Sequence, residues 1–178
     1  QLHDWNEIQT TFDANGVIES KLTRMDNGTA VFERYADGVL ELTQETDSTT
    51  NSQHDWASIL TEYDVNGLMS RRVTRDDDGM REIEYFDNGV IYNRTLQDVS
   101  ADGGLEAWDY IQTVYDTQTG EVTDRYINYD DGVQRHETYV GGVRATDQSM
   151  DPENARDWTT ITTDFTSTPA TRVTIFDN

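Results

Sequence analysis

The chain has 178 residues, 34% of them hydrophobic, with no Cys and a formal net charge of −22. That charge excludes nucleic acid and anionic membrane as partners, because the phosphate field carries the same sign. The missing Cys excludes a disulfide framework and a thiolate metal site, and no apolar run approaches the roughly 18 residues of a membrane span.

The apolar share is too low for a thick two-layer core, since ordinary globular domains reach about 45–50% with Gly included. A thin sheet or a solenoid with shallow burial fits better. Nine Tyr, five Phe and four Trp, regularly spaced, still set the chain apart from a disordered one. The plain reading of the acidic surface is solubility; the sharper one is that the carboxylates collect Ca²⁺.

The first element opens at Trp5, and the same string, W-x-x-I-x-T-x-[FY], opens again at Trp56, Trp108 and Trp158, at spacings of 51, 52 and 50. It reads Trp5, Ile8, Thr10, Phe12; Trp56, Ile59, Thr61, Tyr63; Trp108, Ile111, Thr113, Tyr115; and Trp158, Ile161, Thr163, Phe165. Ile, Thr and the ring alternate with period two, which is strand behaviour, and share a face. Trp lies at odd offset, so it points to the other face or sits at the start of the strand.

A turn follows, Asp13-Ala14-Asn15-Gly16 and Asp64-Val65-Asn66-Gly67, where Asn and Gly accept positive φ cheaply. The third copy, Asp116 to Gly120, is one residue longer, and the fourth has Thr166-Ser167-Thr168-Pro169 instead. A second strand covers Val17–Met25, Leu68–Asp76 and Glu121–Tyr129. Turns Asp26-Asn27-Gly28, Asp77-Asp78-Gly79 and Asp130-Asp131-Gly132 lead to a third strand. It carries Phe32, Glu33 and Tyr35, then Ile83, Glu84 and Phe86, then His136, Glu137 and Tyr139. Gly38, Gly89 and Gly142 end it. A fourth strand opens at Val39, Val90 and Val143 and closes near Asp47, Asp98 and Asp151, before a polar loop of variable length.

The predicted fold is therefore all-β: an antiparallel meander of four-stranded repeats of about 51 residues, in one repeat domain spanning 1–178. Its units are 5–55, 56–107, 108–157 and a half unit 158–178, about fourteen strands in all. Gln1 already lies in the repeat register and the chain stops inside the fourth unit, so it reads as a piece of something longer, with neighbouring domains. An open twisted, solenoid-like array tolerates a fractional copy; the alternative is a β-propeller, which must close.

If the Asp-Asn-Gly turn is a three-residue loop, Lys21 faces Glu33 and Leu22 faces Phe32; Arg72 faces Glu84 and Val73 faces Ile83; Arg125 faces Glu137 and Tyr126 faces His136. Basic then meets acidic on one face of every unit and mostly apolar meets apolar on the other. A two-residue turn would set Leu22 against Glu33.

Two groups of residues are candidate ligand contacts. Trp56 and Trp108 belong to a column whose copies lie about 19 Å apart on a flat sheet, a spacing of several sugar units; the plainer role is to fasten the inter-unit loop. Tyr35, Phe86 and Tyr139 share a face with Arg72, Glu84, Arg125 and Glu137. Rings stack on sugar C–H faces while Arg and Glu bond hydroxyls; an ordinary sheet exterior has the same composition.

The Asp-rich turns invite Ca²⁺ but match neither the EF-hand order nor the G-G-x-G-x-D nonapeptide, of which Asp102-Gly103-Gly104 is a fragment. No metal ligand set can be assigned. His3 and His54 fall in equivalent His-Asp-Trp triplets and read as framework. No Ser-His-Asp set, H-E-x-x-H or phosphate loop is present. A repeat generates equivalent positions, whereas catalysis needs one asymmetric constellation, so the chain is not expected to be an enzyme.

The pattern W-x-x-I-x-T-x-Y-D-x-x-G, then D-D-G, then Y-x-x-G-V, resembles tandem β-hairpin repeats of large secreted proteins of marine alphaproteobacteria, often near RTX-type calcium-binding segments. More distantly, through Tyr63-Asp64 and Tyr115-Asp116, it is similar to the YD repeats of bacterial surface proteins. The resemblance implies an extracellular, non-catalytic module. Two functions are expected: a carbohydrate-binding module contacting a polysaccharide or cell-surface glycan, or a structural or adhesive spacer, rigidified by Ca²⁺.

Overall fold

The structure, a computed structural model, describes residues 4–48, 54–99, 104 and 106–177. Gln1, His3, Asp102, Gly103 and Asn178 lie outside the described residues. Fourteen strands form: β1 (Trp5–Phe12), β2 (Ile18–Met25), β3 (Ala30–Ala36), β4 (Val39–Thr46), β5 (Trp56–Tyr63), β6 (Met69–Asp76), β7 (Met80–Asp87), β8 (Val90–Asp98), β9 (Trp108–Tyr115), β10 (Val122–Tyr129), β11 (Gln134–Val140), β12 (Val143–Met150), β13 (Trp158–Asp164) and β14 (Thr171–Phe176). They follow chain order in one open antiparallel sheet. A propeller would break the order into separate blades, so that alternative falls. The chain forms two compact units, Gln1–Gly89 and Val90–Asn178, called here the first and second halves.

Turn chemistry sets the register. The Met25 N–H donates to the Thr29 carbonyl at 2.8 Å and the Gly28 N–H to the Met25 carbonyl at 3.2 Å, closing a three-residue loop. Gly28 has φ 94°, a conformation that only Gly adopts without strain. The middle residue of the turn holds the loop with its side chain. Asn27 accepts the Thr29 N–H at 3.0 Å, Asp78 the Met80 N–H at 3.0 Å and Asp131 the Val133 N–H at 3.1 Å. Asp37-Gly38 makes a two-residue hairpin, with φ of 51° and 79° and Ala36 paired to Val39.

The expected pairs form. Lys21 stands opposite Glu33 and Leu22 opposite Phe32; Arg72 opposite Glu84 and Val73 opposite Ile83; Arg125 opposite Glu137 and Tyr126 opposite His136. The last two rings stack, their centroids 4.3 Å apart, and His136 Nε2 lies 2.8 Å from an Asp124 oxygen.

One feature escapes period-two reading. A bulge interrupts each Trp-led strand, between Trp5 and Glu7, Trp56 and Ser58, Trp108 and Tyr110, and Trp158 and Thr160. The extra residue resets the alternation. Trp5, Trp56, Trp108 and Trp158 pair with Met25, Asp76, Tyr129 and Phe176, all in the columns of the Lys/Arg–Glu ladder.

The core is thin. Among the described residues the buried apolar side chains are Val73, Ile83, Ile111, Ile127 and Ala145, and the buried polar ones are Thr23, Thr29, Thr61, Glu84, Glu137 and Asp151. Polar side chains thus share the interior equally with apolar ones, which is how a 34% hydrophobic chain builds this sheet. In each ladder pair the basic side chain is the more exposed partner, because the carboxylates lie inward. Side-chain exposure falls from 19% at Glu33 to 11% at Glu84 and 4% at Glu137.

Arg72 and Glu84 make the best isolated test of the ladder, with Nε 2.7 Å and a terminal nitrogen 2.6 Å from the same carboxylate oxygen. A double-mutant cycle with alanine at both positions should return a coupling of about 0.5–1 kcal/mol in urea denaturation, because Arg72 is well exposed. A zero coupling would leave the register without an energetic role for this pair.

Candidate functional site

The ladder builds the same trio three times. In the first half the Lys21 Nζ donates to Glu33 at 2.7 Å and the Tyr35 hydroxyl to its other oxygen at 3.1 Å. The next copy has Arg72, Glu84 and Phe86; with no hydroxyl, Phe86 leaves the carboxylate to Arg72. In the second half the Tyr139 hydroxyl donates to Glu137 at 2.7 Å, and Arg125 stands 3.9 Å away.

Glu137 is the most elaborated copy, being 3% exposed. Arg144 donates to it at 2.9 Å and Arg135 lies at 2.7 Å. Arg135 also grips Asp147 with two bonds of 2.9 and 2.6 Å, and Arg144 lies over the Phe165 ring at 4.6 Å. Burial by itself would raise the Glu137 carboxyl. The Tyr139 hydroxyl, Arg144 and the charges of Arg135 and Arg125 outweigh it and hold the group below its ordinary value. Burial, then the bond to Glu137, raises the Tyr139 phenol.

A groove of about 340 Å³ opens on this network, lined by Arg94, Leu96, Ile111, Thr113, Val122, Arg125, Tyr139 and Gly142. Register explains the lining: Arg94, Thr113 and Arg125 stand side by side on β8, β9 and β10, with Leu96 and Ile111 paired on the next row of the same face. The floor is aliphatic and the rim carries two guanidinium groups, a phenol and a hydroxyl. No carboxylate lines it.

Of the sequence candidates, the structure brings Arg125 and Tyr139 together at the groove, with Glu137 directly behind them. Arg72, Glu84, Phe86 and Tyr35 sit in the equivalent trios of the first half. Trp108 pairs with Tyr129 and precedes the lining residue Ile111 by three positions on β9, so it stands about 10 Å along the strand from that end of the groove and does not line it. Trp56 stacks on His54 with centroids 4.6 Å apart, at the start of β5. The Trp residues are neither fully buried nor gathered: Trp5 is 41% exposed and the other three are half-buried. Sequence reading missed Arg94 and Thr113, because the loop of variable length before β9 conceals how β8 aligns with it.

Among the described residues no three His, Asp or Glu side chains are grouped so that they could hold a metal ion. The Asp76 carboxyl is raised, by burial first and then by crowding from Asp78, Glu82, Asp55 and Asp77. No family model matches the chain, and no curated protein sequence matches it.

Proposed function

We propose that the chain is a non-catalytic carbohydrate-binding module of an extracellular protein, taking a polysaccharide or cell-surface glycan at the groove of the second half. The observation that carries this reading is the lining itself. Arg94, Arg125, Tyr139 and Thr113 offer hydrogen bonds around an aliphatic floor of Leu96, Ile111 and Val122, the combination of polar rim and apolar base that a sugar ring requires.

Catalysis fits the same groove poorly. A glycosidase needs two carboxyls flanking the bond, one of them raised to act as an acid. Glu137 is the nearest carboxyl on these trios, and its arginines push it the other way. A spacer role is the second reading. It draws on the ladder, whose glutamates are engaged by their own neighbours in all three copies.

Affinity electrophoresis against neutral and acidic marine polysaccharides, with and without Ca²⁺, tests the first reading. Retardation is expected on at least one glycan, weakened roughly tenfold by Arg125→Ala, as for loss of one charged hydrogen-bond donor. No retardation on any glycan would leave the spacer.

A further inference from the structure

The three ladder trios differ in which base holds the glutamate. The Lys21 Nζ stands 2.7 Å from Glu33 and a terminal nitrogen of Arg72 2.6 Å from Glu84, and both pairs are hydrogen-bonded. Arg125 occupies the same column in the third trio but stays 3.9 Å from Glu137, beyond hydrogen-bonding distance.

The cause is a change of partner. One Glu137 oxygen lies 2.7 Å from Arg135 and 2.9 Å from Arg144, and the other accepts the Tyr139 hydroxyl at 2.7 Å. Arg135 and Arg144 are peculiar to this unit. Val31 and Glu82 stand in the place of Arg135 one and two units back, counted along β3 and β7. Leu40 and Ile91 are the second residues of β4 and β8, as Arg144 is of β12. Two added guanidinium groups therefore hold Glu137, and the base that its column supplies is left over.

That base turns to the groove, which it lines. Its side chain is 41% exposed and donates to no carboxylate among the described residues. Arg94 is engaged within the protein, which leaves Arg125 as the cation to meet a ligand. Thr113 faces Arg125 directly on β9. The Tyr139 phenol gives its proton to Glu137, so toward the groove its oxygen can only accept. Glu121 reaches the Gly142 end of the mouth, four residues from Arg125, and is itself exposed.

Resting on the carbohydrate reading above, we infer that the groove is specific for an acidic sugar, whose carboxylate or sulfate ester is bound by Arg125. The guanidinium fork matches both groups. The ring lies on the floor of Leu96 and Ile111, one hydroxyl accepts from or donates to Thr113, and another donates to the Tyr139 oxygen. The charge of −22 does not forbid this. Distant carboxylates are screened beyond about 8 Å at physiological salt, whereas a guanidinium in contact with its anion is not.

The test is affinity electrophoresis of the chain in gels containing dextran, carboxymethyl dextran or dextran sulfate, three forms of one backbone that differ in the acidic group. At least one charged form should bind about fivefold or more tightly than dextran itself. Preference for the first charged form assigns a carboxylate and for the second a sulfate ester. Arg125→Gln should abolish the preference, whereas Arg34→Gln, which removes an exposed arginine of the first half, should keep it. Because Arg125 makes no hydrogen bond to Glu137, Arg125→Gln should melt close to the wild-type temperature, which guards against misfolding as the cause. Retardation by dextran equal to that by the charged forms, or a preference that survives in Arg125→Gln, would overturn the inference and leave the groove to neutral glycans. No retardation by any form, nor by the marine polysaccharides, would overturn it together with the carbohydrate reading.

Discussion

Glu137→Ala should destabilise the protein by about 3 kcal/mol in urea denaturation, the low end of the range for breaking a buried ion pair, because its arginine partners are themselves partly exposed. Four groups converge on this carboxylate, and deleting it leaves Arg135 and Arg144 turned inward toward a void. Glu33→Ala at the equivalent position should cost only about 0.5–1 kcal/mol, since its carboxylate is more exposed and Lys21 can rehydrate. Equal losses at the two sites would refute the idea that burial sets the value of each ladder pair.

The effect also has a pH signature. The folded-state pKa of Glu137 is depressed, so its stabilisation is present above the ordinary carboxylate range and is lost as pH falls through the folded value. The stability gap between wild type and Glu137→Gln should therefore be constant near neutrality and narrow in acid. A gap that widens in acid would contradict the depressed pKa.

The second large effect belongs to Asp151, where the last full unit hands over to Trp158. It is 1% exposed. One carboxylate oxygen accepts the Arg156 N–H at 2.6 Å, and its backbone N–H donates to the Thr159 carbonyl at 3.0 Å. Asp47 holds the His54 N–H and Asp98 the Glu106 N–H in the same way, so each inter-unit loop is tied by the aspartate that closes the preceding strand.

Asp151→Ala should cost about 2 kcal/mol, as for loss of a hydrogen bond to a charged group, and should speed amide exchange at Arg156. Asp151→Asn should match or exceed wild type. It keeps the acceptor and removes a buried charge whose other oxygen has no hydrogen-bond partner. Unchanged exchange at Arg156 in the alanine variant would show that the loop is held by other contacts.

The repeat, the strand order and the ladder register are legible in the sequence because each is fixed by a few adjacent residues. A three-residue Asp-Asn-Gly loop leaves one way to lay Lys21 against Glu33. The bulge at each Trp is not legible, since an extra residue carries no mark in composition, and it moves four large rings onto the ladder face. Nor is the inward tilt of Glu137 legible, because burial depends on Arg135, Arg144 and Phe165 from neighbouring strands. The groove needed the β8–β9 alignment, which spans a loop of variable length.

Strands that pair in chain order carry a consequence for how the protein reaches this state. Within each half every partner is a near neighbour in sequence, so each hairpin closes a short loop at small entropic cost. Most all-β proteins are slow because their pairings are distant; here contact order is low, and folding should be fast for an all-β chain. A sheet stabilised mainly between adjacent hairpins also behaves as a one-dimensional chain of coupled units, able to nucleate at any turn and to grow outward from it.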